Sequence, residues 1–405
     1  MRSFKLLTVK ADFRLFSAAV RAQEPKNESV LQRFFVCFLS VAYKGGGIKK
    51  VNIFSLAAAY AGCFIGAGFL SGNELWQFFG SFGRLGLFGL VIAIVFQAGI
   101  GYAAIKCAAV KKTDRFDVLI SPGGDKIIAN IYSVFLSVFV FLIISVMFAG
   151  AASLIKSAFG LNKAIGGAIF AAVVAAFSLS GLKGVVKFFS VSVPMLVFTA
   201  MLICVLALKK YGYPEISGAA VTGKTAVLPN FFISALLFSS YNVFCALPVI
   251  TPIWGRAKDK CVALGGVLSG SVALIAIAFA VLMPLFANSG FASYDLPLLE
   301  LAKTIGLPVY YFYAALLIVG IFGTSVSSLA SLIDFGGKKI NFIESNKKSF
   351  YLPVAILAYA LSLVGINDLI AVGYPVCGYV GMTAEILIVV NLIIETRRKK
   401  AGGVE

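Results

Sequence analysis

The chain has 405 residues, 60% of them hydrophobic and 13% charged, with a mean hydropathy of +0.97. A soluble domain of this size carries far more charge, so the composition points to a polytopic membrane protein. The formal charge of +18 does not mark a nucleic-acid binder, because the 35 Lys and Arg fall in short clusters between apolar runs, where they act as topology signals and contacts for anionic lipid.

Residues 1–50 differ in character from the rest of the chain. "MRSFKLLTVKADFRLFSAAVRAQ" is basic and lacks the long apolar core and small-residue cleavage site of a secretory signal, and it has the makings of an amphipathic surface helix. A plainer reading starts from "KGGGIKK" just before Val51. It back-translates to a purine-rich run at short distance from a valine that GTG encodes, which reads as a ribosome-binding site translated in error with the true start near Val51.

From Val51 onward, apolar runs long enough to cross a hydrocarbon core of ~30 Å recur down the chain, without the ten-residue alternation of a β-barrel. The expected spans are 52–79, 83–107, 127–158, 164–182, 185–208, 227–253, 261–286, 308–332, 350–366 and 369–394. With the N-terminus in the cytoplasm, the inner segments hold Lys111, Lys112 and Arg115, then Lys183 and Lys187, then Arg256, Lys258 and Lys260, then Lys338, Lys339, Lys347 and Lys348, and finally the tail 397–405. Most of the basic residues then lie inside, so both termini are expected in the cytoplasm of a bacterial inner membrane protein. The outer loop from Ala287 to Pro308 is apolar and acidic enough to form a short helical hairpin over an outward-facing cavity.

The first span is poorly written as a helix. "AYAGCFIGAGFLSGNELWQFFG" carries Gly62, Gly66, Gly68 and Gly72 within a few turns, each costing up to ~1 kcal/mol relative to alanine. Irregular backbone at mid-membrane depth persists where it lines a cavity, which predicts an unwound stretch near Gly66, Ala67 and Gly68. Amides opening the outer half-helix would face an anion, and carbonyls closing the inner half would face a cation. The competing reading is that glycines at four-residue spacing form a close packing face. The sixth span repeats the pattern: Ser239, Ser240, Tyr241 and Asn242 sit mid-span, ahead of Pro248 and Pro252, so a second interruption is expected. Two broken helices at equivalent places in two five-span halves, 51–226 and 227–396, indicate inverted repeats around a midplane site.

With these features in view, the chain resembles the LeuT-fold transporters of the amino acid-polyamine-organocation superfamily, and among them the YkvI-like bacterial membrane proteins. The tokens are "GAGFLSGNELWQFFGSFGRLG", similar to the pattern GAGFASGQE with Leu70 and Asn73 as departures, and "SYNVFCALPV"; the resemblance spans about 51–396. It implies an all-α protein of about ten transmembrane helices in a 5+5 inverted repeat with discontinuous first and sixth helices. It further implies a Na+ site in which the carbonyls of Gly62 and Ile65 meet Thr324, Ser327 and Ser328, whose i, i+3, i+4 spacing places them on one helical face. The alternative for these hydroxyls is bonding to their own i−4 carbonyls. For substrate, the amides of Gly66, Ala67, Gly68 and Phe69 would hold a carboxylate, with Ser240, Tyr241 and Asn242 taking the remaining polar atoms and Phe64, Phe238 and Phe244 an apolar side chain. That favours an amino acid or similar small zwitterion, moved by sodium-coupled symport with no organic cofactor.

Glu74, two turns beyond the break, is a candidate proton carrier or partner for a substrate ammonium, against a structural pair with Arg84 or a place on a water-exposed vestibule wall. Glu385 reads as a buried link between helices, and Lys187 on the fifth span as a snorkelling lysine. Of the seven cysteines none has paired spacing, so neither a disulfide frame nor a zinc site is indicated. The alternatives to a sodium symporter are a proton-coupled transporter of the same fold and a ligand sensor resembling germinant-receptor subunits. A membrane enzyme is disfavoured by the absence of histidine, of paired intramembrane aspartates and of a GxSxG elbow. Nothing in the sequence sets an oligomeric state. If the chain starts near Val51, peptide mass spectrometry of the protein purified from its native host will yield no peptide from 20–45; a native peptide spanning that stretch overturns the reading.

Overall fold

The computed structural model describes residues 53–180, 185–214, 228–251 and 260–401. The N-terminal extension and its start-site reading lie outside these residues, as do Pro252 and the side chain of Lys187. The described chain is helical throughout. In order, the elements are α1 (Ile53–Phe64), α2 (Ala67–Ser71), α3 (Asn73–Phe78), a 3-10 turn (Gly80–Phe82), α4 (Arg84–Lys111), α5 (Phe116–Ile120), α6 (Lys126–Phe159), α7 (Lys163–Ser180), α8 (Val185–Tyr211), α9 (Phe231–Ile250) and α10 (Lys260–Ala287). After a 3-10 turn (Ser289–Ser293) come α11 (Pro297–Ile305), α12 (Leu307–Lys339), α13 (Asn341–Ser345), α14 (Lys347–Ser362), α15 (Ile366–Asp368), a π-helical turn (Leu369–Gly373) and α16 (Tyr374–Ala401).

Every expected span coincides with a helix or with an interrupted one. Among the described residues, seven helices are individually long and apolar enough to cross a membrane. The first span is broken, and α7 and α14 are shorter, so for these three the count of ten rests on the sequence. The outer loop is helical as expected, in the 3-10 turn and α11. The short helix α5 was not foreseen. It is tied down by Asn391 of α16, whose Nδ2 donates to the carbonyls of Leu119 (2.8 Å) and Ser121 (3.2 Å), and by Lys111 Nζ donating to Val118 (3.2 Å).

The helices pack in two groups. α1, α4, α9 and α10 lie against one another, and α6, α7, α12 and α14 form a second set. α8 touches both sets, through α10 and α12, while α16 runs along α9. Glycines set the closest approaches. A Cβ at Gly270 of α10 would meet the Ala57 carbonyl of α1 at 2.8 Å, and one at Gly381 of α16 would meet the Ser240 carbonyl of α9 at 2.5 Å. In lipid, where apolar contact with a neighbouring helix gains little over contact with acyl chains, such close backbone approach is a main source of helix association.

The expected interruption of the sixth span is not found in its described part, since α9 is continuous from Phe231 to Ile250 with Pro248 inside it. The polar run that prompted the expectation is satisfied without unwinding. Ser240 donates to Glu385 (2.8 Å), Tyr241 to Glu74, and Asn242 Nδ2 to the Phe238 carbonyl one turn back (2.9 Å). Gly381→Ala should destabilise the protein by about 1–3 kcal/mol through overpacking against backbone. Gly99→Ala, where a Cβ meets nothing within 4 Å, should be neutral or slightly stabilising. Thermal unfolding of the two purified variants in detergent checks both.

Candidate functional site

The first span breaks at Ile65 and Gly66, one residue before the predicted stretch. The Gly66 amide turns back to the Phe64 carbonyl (3.1 Å), and the helix resumes at Ala67 with Leu70 N donating to the Gly66 carbonyl (3.1 Å). As a result the Gly62 carbonyl loses its usual i+4 donor, and among the described residues no backbone amide is bonded to the carbonyl of Ile65. Packing does not explain Gly66, because a Cβ there would meet nothing within 4 Å. A second bend follows at Gly72, whose φ of +84° suits glycine and turns the chain from α2 into α3.

Of the proposed sodium ligands, two flank the break and three lie on α12, whose hydrogen bond to α2 is made earlier along the helix, by Tyr313 donating to the Leu70 carbonyl (2.9 Å). Gly62 and Ile65 supply carbonyls at the break, and α12, which carries Thr324, Ser327 and Ser328, packs against α2. Thr324 Oγ1 donates to the Gly320 carbonyl (3.1 Å) and Ser327 Oγ to that of Gly323 (2.8 Å), the self-bonding weighed as the alternative. A hydroxyl that donates its proton to a carbonyl of its own helix still keeps its lone pairs.

The expected substrate contacts separate. Tyr241 turns toward α3, where its hydroxyl donates to Glu74 Oε1, while Asn242 Nδ2 donates to the Phe238 carbonyl of its own helix. Ser240, one residue before Tyr241, points the other way to Glu385 of α16, which is the interhelical link expected for that glutamate. The predicted carboxylate seat is also altered: the Gly66 amide is already bonded, and Glu74 folds back so that its Oε2 lies 2.8 Å from where a Gly68 Cβ would be. Glu74 is 6% exposed and has no lysine or arginine partner among the described residues; the pair with Arg84 does not form. Below the outer loop, Gly68, Ser71, Met147, Gly150, Leu296 and Ile321 help line a cavity of ≈ 10 Å³, room for about one water.

Sequence reasoning missed a polar knot around Asp295, in the loop expected to be outer. Asp295 pairs with Lys163 at the start of α7 and accepts from Ser153 of α6 (2.6 Å) and from Asn367 of α15 (3.1 Å). Asn73 of α3 donates to the Asp295 carbonyl (2.8 Å) and to Asn367 Oδ1 (2.6 Å), while Gln77 donates to Asn73 Oδ1 (2.7 Å). A second tie joins Ser157 of α6 to Glu300 of α11 (2.5 Å). The available signal was the asparagine of "SGNE", a polar residue in an apolar span, but its partners come from distant parts of the sequence.

No family model matches the chain. It is similar to the uncharacterized membrane protein YkvI of Bacillus subtilis, 25% identical over 82% of this chain and 94% of that protein. It is also similar to the uncharacterized protein YyaD of the same organism, 23% identical over 79% of this chain and 91% of that protein. Among solved structures, the inward facing conformation of Mhp1 aligns with a TM-score of 0.58 at 13% identity, covering 90% of this chain and 78% of that one. MhsT in complex with L-phenylalanine aligns at 0.56 and 13%, covering 82% and 87%, and a manganese transporter of Eremococcus coleocola at 0.53 and 12%, covering 84% and 85%. The chain therefore has the LeuT-type fold.

Asn73→Ala should cost about 1–3 kcal/mol by leaving buried acceptors unpaired and should loosen the outer closure. A single cysteine introduced by Ser71→Cys, in a background without other reactive thiols, should then react faster with a membrane-impermeant maleimide added from outside.

Proposed function

We propose that this multi-pass membrane protein is a secondary transporter working by alternating access, coupling Na+ to the symport of an amino acid or similar small amine-bearing molecule. The observation that carries the reading is the break at Ile65 and Gly66, which leaves the Gly62 and Ile65 carbonyls without amide donors among the described residues, at the two positions expected to bind the ion. Carbonyls left open at membrane depth are costly unless a cavity or ligand serves them. The grouping of α1 and α4 with α9 and α10, and of α6 and α7 with α12 and α14, is the arrangement that two inverted five-span repeats produce. With the outer knot made, the described conformation corresponds to one closed on the outside, in keeping with the likeness to an inward facing structure.

In the transport cycle, Na+ at Gly62, Ile65, Thr324, Ser327 and Ser328 would stabilise the outward-open arrangement and fix the unwound segment. Substrate would then bring the outer loop down and complete the Asp295 knot. The second reading, proton coupling through Glu74, is favoured by that residue's burial without a basic partner.

Thermal stability of the purified protein in matched Na+ and K+ buffers, across a panel of amino acids, separates the readings. Ligand at a hundredfold its Kd should add about 2.7 kcal/mol, need Na+, and lose that need in Ser327→Ala and Ser328→Ala. Stabilisation indifferent to Na+ and to both substitutions would assign coupling to the proton, or the protein to a sensing role.

A further inference from the structure

We infer that the recognition element of this site is Glu74 set beside an aromatic box, and that it selects an organic ammonium and not a substrate carboxylate. The inference rests on the small-molecule reading above and reverses the polarity of the seat predicted at the first break. Three observations carry it. First, the protein's own carboxylate lies beside that seat: a Cβ at Gly68 would meet Glu74 Oε2 at 2.8 Å. A substrate carboxylate on the amides of α2 would be driven against a like charge in a medium of low dielectric.

Second, Glu74 is buried and held by the Tyr241 hydroxyl, with no cation from the described residues. A carboxylate in this setting gains most from a positive group brought in from outside. Third, the hydroxyl that holds it belongs to a ring enclosed by others. Tyr374 lies 4.9 Å from the Tyr241 ring, Phe78 5.4 Å, Phe238 5.6 Å and Phe139 6.0 Å, centroid to centroid.

Aromatic faces favour a weakly hydrated organic cation, and the described residues contain no cluster of three His, Cys, Asp or Glu that could hold a metal ion. The substrate class is therefore a primary amine with an apolar body, for which an α-carboxylate is dispensable.

The test uses matched sets sharing one apolar body: phenylalanine, phenethylamine and hydrocinnamate, then leucine, isoamylamine and isocaproate. Each is scored by thermal shift on the purified full chain and by uptake into proteoliposomes. The amines should stabilise the wild type at least as well as the zwitterions, with the acids inert. Glu74→Gln should weaken amine binding by tenfold or more, and Glu74→Asp should restore part of it. Stabilisation by the acids, or by zwitterions but not amines, overturns the inference on the wild type alone, even if Glu74→Gln does not fold. Amine binding lost in Glu74→Gln but without uptake of any compound upholds Glu74 recognition while overturning the transporter reading. Failure of both complete sets to bind overturns the inference.

Discussion

A helix that stops inside a bilayer leaves carbonyls and amides that water cannot reach, and everything in this molecule is arranged around one such stop. The chain resolves it with little backbone adjustment. Gly66 closes a tight turn on Phe64, Gly72 turns again, and the second piece of the broken helix is as short as five residues. Around it, long helices with saturated hydrogen-bond ladders take up the load of spanning the membrane. At this break the irregular backbone adds polar groups that a continuous helix would hide.

The surrounding packing makes that break possible. α1 is pressed against α10 through Gly270, while α2 faces α12 across a small cavity. The two halves of the broken helix therefore belong to different surroundings, and relative movement of the two helix groups acts on the break directly. Glu74 and Asn73 follow the second turn. One faces inward to Tyr241 and the other outward to Asp295, so the inner contact and the outer closure sit on neighbouring residues of one short helix.

Much of this was legible in the sequence. Glycine spacing in a span otherwise rich in apolar residues located the break to within a residue, because in lipid few other causes explain so many poor helix formers together. What misled was polarity in α9: Ser240, Tyr241 and Asn242 resembled an unwinding signal, yet two of them were answering glutamates at positions 74 and 385, on other helices. A polar side chain in a membrane helix has the same appearance in one dimension whether it frees the backbone or meets a carboxylate. The Asp295 knot was illegible for a related reason, as it joins residues 73, 153, 163, 295 and 367 that share no local pattern.

The seam between α9 and α16 has one more implication. Where a glycine lies on a neighbouring carbonyl, as Gly381 does on Ser240, there is no layer of flexible side chains to shear, and a sliding step would drive backbone into backbone. The Ser240 to Glu385 bond pins the same level. α9 and α16 are thus a single strut, and Asn391 fastens the short helix α5 to its far end. Tilting of that strut in the membrane would carry α5 with it as a lever arm, converting a small rotation at the depth of Tyr241 into a larger sweep at the opposite face.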